Sequence, residues 1–166
     1  FDSRYLLSLP KRARESGVSF FINDFKEDFI MKIGFIGCGN MGSAMIGGIL
    51  RQGIFSKEEI IVSNLTPEGK ARSEKNLGVV TTLDNNEVVR SAKTVVLAVK
   101  PQFYEEVLSE VHDSLTKDHT IIGIAPGKTL AWLEEKAGLP LKVVRFMPNT
   151  PAQAVSYTHL RAHETL

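Results

Sequence analysis

The stretch Met31-Lys32-Ile33-Gly34-Phe35-Ile36-Gly37-Cys38-Gly39-Asn40-Met41-Gly42 governs the reading of the whole chain. A short apolar run leads into Gly37, Gly39 and Gly42, spaced as Gly-x-Gly-x-x-Gly. The spacing has a physical basis. The first glycine permits a tight turn out of a strand, the second admits a diphosphate against the backbone, and the third lets the following helix pack closely on the strand. A helix starting near Asn40 would aim its free N–H groups at that diphosphate. The prediction is dinucleotide binding by Gly37, Cys38, Gly39, Asn40, Met41 and Gly42. The alternative is a glycine-rich turn that binds nothing. Cys38 has no second cysteine to pair with, and its slot between two glycines favours small residues, so it is read as steric rather than reactive.

Downstream, short apolar runs alternate with amphipathic ones. Strands are expected at Lys32–Gly37, Ile60–Ser63, Val79–Thr81, Thr94–Val99, Thr120–Ala125 and Lys142–Phe146. They are rich in Val and Ile, and several are apolar at consecutive positions, as in strands buried on both faces of a parallel sheet. Helical spacing relates Met41, Ala44, Met45, Gly48 and Ile49, and again Val107, Leu108, Val111 and Leu115. Thr129 is placed to cap a helix carrying Leu130, Leu133 and Ala137. Alternation of this kind predicts an α/β fold, a doubly wound Rossmann-type parallel sheet with right-handed crossovers.

The composition fits a folded domain: 43% hydrophobic, 23% charged, 166 residues in all. A net charge of +1 gives no electrostatic reason to expect nucleic acid or an anionic membrane as partner. The most apolar segment, around Phe29–Leu50, contains Lys32, Asn40 and several glycines, so no membrane span is expected. One cysteine allows no internal disulfide and no thiolate metal cage. A reducing, cytoplasmic setting is the expectation, with no metal.

The second strand predicts which dinucleotide. Sites for NAD usually place Asp or Glu at its end, on the ribose 2′-hydroxyl. Here Ser63, Asn64 and Thr66 stand there, Glu68 comes only after Pro67, and Lys70 and Arg72 follow. A 2′-phosphate would meet donors rather than a carboxylate. NADP(H) is therefore the expected cofactor, with NAD(H) as the alternative. Lys70 and Arg72 also read as the solvated face of a helix.

Three segments now carry a resemblance. Ile33 to Gly42, Ala98-Val99-Lys100-Pro101, and Arg145-Phe146-Met147-Pro148-Asn149-Thr150-Pro151 resemble the pyrroline-5-carboxylate reductases, and the likeness runs from about Met31 to Gln153. The glycine triplet is shared by many dehydrogenases, whereas the other two segments at this spacing are far more specific. The resemblance implies reduction of 1-pyrroline-5-carboxylate to L-proline by NADPH, the last step of proline biosynthesis. It implies cofactor contacts from Asn85, Ala98, Val99, Lys100, Pro101, Ala125, Asn149 and Thr150. It also implies a helical C-terminal domain, absent here, that holds the substrate and makes the protein a homo-oligomer. No catalytic residue is assigned on this chain. A β-hydroxyacid dehydrogenase and a non-catalytic NADP-binding regulatory protein are the rival readings. One departure stands out: where the family usually has Ser-x-Ala-Ala-Gly, this chain has Gly123-Ile124-Ala125-Pro126-Gly127. Pro126 carries no N–H for a ligand.

The two ends differ in character from the middle. Residues 1–30 are expected to be a non-native or disordered extension ahead of a true start at Met31, because Lys26-Glu27-Asp28 is encodable as a bacterial ribosome-binding site. An ordered extension is the alternative. Residues 154–166 resemble a translated sequencing adapter and are expected to be an artefactual or disordered tail. His159 and His163 there have metal-like spacing but no third ligand. Residues 31–153 are left as the dinucleotide-binding domain.

Overall fold

A computed structural model of the chain describes residues 29–147. The expectations for the two ends, and for Asn149 and Thr150, lie outside the described residues.

Six parallel strands form one sheet: β1 (Ile33–Ile36), β2 (Ile60–Ser63), β3 (Val80–Thr82), β4 (Thr94–Leu97), β5 (Thr120–Gly123) and β6 (Lys142–Arg145), in the order β3-β2-β1-β4-β5-β6. Between them run α1 (Asn40–Arg51), α2 (Pro67–Leu77), α3 (Asn85–Ser91), α4 (Tyr104–Val111) and α5 (Leu130–Ala137). The strand order reverses between β1 and β4, which opens a crevice at their carboxyl ends.

Local chemistry sets the helix limits. Thr66 Oγ1 accepts from Gly69 N at 3.1 Å, Pro67 fills the first helical position of α2, and Gly78 closes it at φ 68°. Thr129 Oγ1 accepts from Trp132 N at 3.1 Å and Gly138 closes α5 at φ 67°, so the expected cap is present. Each face of the sheet has its own core. Phe35, Ile46, Ile60, Val62 and Val96 pack on the α1 side. Val88, Val89, Val95, Leu97, Tyr104, Leu108 and Leu133 pack on the other. Each such side chain contributes about 1.5–3 kcal/mol when fully buried. Among the described residues no helix is long and apolar enough to cross a membrane.

Several expectations need correction. The strands at β1, β4, β5 and β6 are shorter at their carboxyl ends than periodicity predicts, because Gly37, Ala98–Val99, Ile124–Ala125 and Phe146 leave the ladder as loops. β3 lies one residue further on, at Val80–Thr82. Met41, Ala44, Met45, Gly48 and Ile49 do share α1, half-buried, with Met41, Met45 and Ile49 packed on the core, while Gly42 and Ile46 are the residues it buries fully. Its axis is set by close approach at Gly42, which a hydrophobicity pattern does not register. Leu115 is buried but lies beyond α4, past a 3-10 turn at His112–Ser114. Among the described residues β6 is an edge strand, with Val144 46% exposed, so burial on both faces does not extend to it.

Candidate functional site

The loop after β1 turns back because Gly37 adopts φ 92°, a region costly for residues with a Cβ. A Cβ there would lie 2.8 Å from Val99 Cγ1 and 3.0 Å from the Ala98 carbonyl oxygen. At Gly42 a Cβ would lie 3.0 Å from the Gly37 carbonyl oxygen and 3.2 Å from Ala98 Cβ. Both glycines are therefore demanded by the packing of β1, α1 and the end of β4. Gly39 differs. It has φ −75°, and a Cβ built on it meets nothing within 4 Å. The fold does not require glycine here, and the open space faces whatever approaches the loop.

Gly39 is also the N-cap of α1 and brings no side chain to it. The first intrahelical bond is Ser43 N to Gly39 O at 2.9 Å. Asn40, Met41 and Gly42 thus present N–H groups with no intrahelical partner. The first turns of α2, α3 and α4 contain acids, Glu68, Glu87 and Glu105–Glu106. That of α1 contains none. Unpaired amides, a helix N-terminus and no local negative charge make a cradle for an anion such as a diphosphate. Cys38 is half-buried beside Ser43, with Sγ 3.3 Å from Ser43 Oγ.

Most of the expected site residues meet around this loop. Gly37 N donates to the Ser63 carbonyl at 3.2 Å, tying the loop to the end of β2. Ser63 Oγ donates to Asn85 Oδ1 at 2.6 Å, and Asn85 Nδ2 donates to Glu110 Oε2 at 2.8 Å. Ala98 N donates to the Ile36 carbonyl at 2.8 Å, setting β4's exit beside the loop. Val99 packs half-buried on the core, while Lys100 is exposed and leads into a 3-10 turn at Pro101–Phe103.

Asn64 requires a correction. Expected as a cofactor donor, it is 7% exposed and bonded to α2, where Ser73 Oγ lies 3.0 Å from both Asn64 Oδ1 and the Gly69 carbonyl. One hydroxyl proton cannot serve both acceptors. With the amide rotated half a turn, Nδ2 donates to Ser73 Oγ and Oγ donates to Gly69 O. This also gives a partner to the buried Nδ2, which is otherwise unpaired. Asn64 therefore anchors α2. Ser63 is 1% exposed and faces Asn85, so of the three expected donors only Thr66 remains at the surface, its hydroxyl proton still free while its oxygen caps α2. Lys70 pairs with Glu74 at 3.8 Å on an exposed helix face.

Sequence reasoning missed Tyr104. Its hydroxyl donates to the Leu97 carbonyl at 2.6 Å and accepts from Ile124 N at 3.1 Å and Ala125 N at 3.0 Å, with no exposed surface. Ala125's N–H is thus turned inward. Burial pushes this hydroxyl's pKa up, and the two amides pull it partly back. An aromatic residue seven positions past the end of a strand was the available signal, but its depth was not. Pro126 and Gly127 form a turn, with Gly127 at φ 78°.

Away from the crevice, an open pocket of about 490 Å³ lined by Leu50, Phe55, Lys57 and Leu77 lies between α1's end and β2's start. His119 is buried, Nε2 donating to the Val89 carbonyl at 3.0 Å and Nδ1 accepting from Thr116 N at 2.9 Å, which makes it a structural tie. Among the described residues no three His, Cys, Asp or Glu side chains group as metal ligands.

Known proteins share this arrangement. The chain is 41% identical over 121 residues to a pyrroline-5-carboxylate reductase of Escherichia coli, covering 73% of this chain and 45% of that protein. It is 40% identical over 136 residues to pyrroline-5-carboxylate reductase 3 of Danio rerio, covering 82% and 47%. Among solved structures, the pyrroline-5-carboxylate reductase of Coxiella burnetii superposes with a TM-score of 0.69 at 35% identity, covering 75% of this chain and 46% of that one. The pyrroline carboxylate reductase of Plasmodium falciparum, solved with NADP bound, superposes with a TM-score of 0.66 at 32% identity, covering 76% and 45%. The chain spans a little under half the length of the relatives it matches. Residues 32–127, more than half of the chain, match the family described as NADP oxidoreductase, coenzyme F420-dependent, and the chain belongs to that family.

Proposed function

We propose that the full-length protein reduces 1-pyrroline-5-carboxylate to L-proline with NADPH, and that residues 31–153 supply its nucleotide-binding domain. The observation that carries this is the Gly39 cradle, open above a helix N-terminus with free amides and no acid in its first turn. It stands in a chain about 40% identical to proteins named for this reaction.

Each group on the chain has a part in this reading. The amides of Asn40, Met41 and Gly42 hold the diphosphate, and Cys38, Gly37 and Gly39 give it room. Asn85, held between Ser63 and Glu110, lines the adenosine side, and Thr66 is the donor that favours a 2′-phosphate. Ala98, Val99, Lys100 and Pro101 form the wall beside the reacting ring, with Ala125 across from it, and the family resemblance adds cofactor contacts from Asn149 and Thr150. The nicotinamide supplies a hydride to the C=N carbon while the imine nitrogen carries the proton. The chain's residues orient and desolvate that encounter, and need no strong general acid because a protonated imine is already electrophilic. The substrate carboxylate is held by the part of the protein outside this chain, which also makes the homo-oligomer. A cytoplasmic setting suits the single cysteine.

The test is a steady-state assay of the full-length protein with 1-pyrroline-5-carboxylate and NADPH. Proline formed with NADPH oxidised in equal amount is the expected result. Nucleotide binding without proline would leave a regulatory protein or a dehydrogenase for another substrate. Turnover by residues 31–153 alone would contradict the division of labour.

A further inference from the structure

The two walls of the crevice leave the sheet on neighbouring strands, β4 and β5. Main-chain pairing holds those strands from Thr94↔Thr120 to Leu97↔Gly123 and stops there. Beyond that point Ala98–Lys100 and Ile124–Ala125 are loops, so the ladder no longer fixes their separation. Tyr104 sits where the ladder ends. Its hydroxyl reaches the Leu97 carbonyl on one side and the Ile124 and Ala125 amides on the other, at 2.6, 3.1 and 3.0 Å. That is one proton donated and two accepted, the full capacity of a phenol. Gly123 packs beside the ring: a Cβ there would sit in ordinary contact with Tyr104 Cε1 at 3.8 Å, and the close approach that calls for glycine is to Leu133 Cδ1 at 2.8 Å.

We infer that Tyr104 is a positioning residue for hydride transfer, a latch that extends the β4–β5 pairing by one step and fixes the gap between the walls flanking the reacting ring. The ring stems from the first turn of α4, directly after the Pro101–Phe103 turn that carries the chain away from Lys100. The same side chain therefore also sets the path of the Ala98–Pro101 loop. Orientation errors of the order of an ångström at a reacting pair cost large factors in rate. A buried hydroxyl with three bonds is a stiff way to prevent them.

This inference rests on the coenzyme reading above, and its test separates the two. In the full-length wild-type protein, amide hydrogen exchange is followed with NADPH and with 2′-phospho-ADP-ribose, which lacks the nicotinamide. Both nucleotides are expected to slow exchange at Gly39–Ser43, and only NADPH to slow it further at Ile124 and Ala125. Equal protection at Ile124 and Ala125 by both would overturn the latch. No protection at Gly39–Ser43 by either would overturn the coenzyme reading itself. The variant Tyr104→Phe is then assayed well below its own melting temperature. Its kcat is expected to fall about tenfold, with affinity for 2′-phospho-ADP-ribose unchanged. A lowered Tm with wild-type kcat and NADPH affinity would reduce Tyr104 to a structural residue and sink the proposal.

Discussion

Ser63 and Asn85, at the ends of β2 and β3's following loop, share a 2.6 Å hydrogen bond in which the Ser63 hydroxyl donates to the Asn85 side-chain oxygen. Ser63's carbonyl receives the Gly37 amide, and Asn85's other end donates to Glu110 on α4. The glycine loop is thus braced through three elements. Replacing Asn85 with Ala should remove two side-chain bonds, lower stability by about 1–2 kcal/mol, and raise the Kd for NADPH. Calorimetric unfolding and nucleotide titration measure the two effects. An unchanged Kd would mean that the brace does not reach the loop. Glu110→Gln keeps an acceptor and should do much less.

The three glycines should separate by assay. Gly37→Ala forces a Cβ into φ 92° and against Val99 and Ala98, costing about 1–3 kcal/mol in strain. Gly42→Ala should also destabilise, through the 3.0 Å approach to the Gly37 carbonyl. Gly39→Ala should cost no more than about 1 kcal/mol, as a poorer N-cap, since its φ is ordinary and its surroundings are open. Its nucleotide affinity should nevertheless fall by about tenfold or more. A Gly39→Ala protein that binds NADPH normally would place the ligand elsewhere.

Coenzyme preference should turn on Thr66. Asp caps helices as well as Thr does, so Thr66→Asp should keep α2 folded. It would set a carboxylate where a 2′-phosphate is proposed to lie. The ratio of NADPH to NADH affinity should fall by about tenfold or more, because like charges repel at such a site. Thr66→Ala should instead cost about 1 kcal/mol of stability through the lost cap. Circular dichroism melts and parallel titrations with both nucleotides distinguish these outcomes.

Tyr104 also predicts an alkaline limit. Burial raises its pKa above the ordinary value in the folded state, the adjoining amides offsetting part of the rise. The folded form therefore holds this proton more tightly than the unfolded form. Its contribution is complete below about pH 10, the unfolded value, and is lost as pH rises beyond it. Urea unfolding of the wild type should show stability dropping above that point. Tyr104→Phe, less stable at neutral pH, should show a shallower drop, and parallel curves would contradict the assignment.

Much of this was readable in the residues, and what was not has a common cause. Runs such as Ile60–Ser63 and Thr94–Leu97 are apolar at consecutive positions because helices cover both faces, and their pattern announces a parallel sheet. The caps Thr66 and Thr129 are local, acting three residues away, and so are visible in sequence. The loop glycines are visible too, although only geometry separates the two required by packing from Gly39. Tyr104, Glu110 and Ser73 act across 20 or 21, 25 and 9 positions respectively. Their partners are backbone groups or amides with no sequence signature of their own. The same blindness made Asn64 look like an outward donor, when the depth of β2's end turns it into α2.

The bare flank of β6 has a practical side. Val144 is 46% exposed on that strand, and Phe146 and Met147 follow at 38% and 58%. A strand margin this greasy is a template on which further chains can align and stack. Anyone expressing the domain by itself for crystallography should meet precipitation as concentration rises, long before unfolding. Val144→Lys would act as a gatekeeper charge there and should keep the preparation dispersed in light scattering.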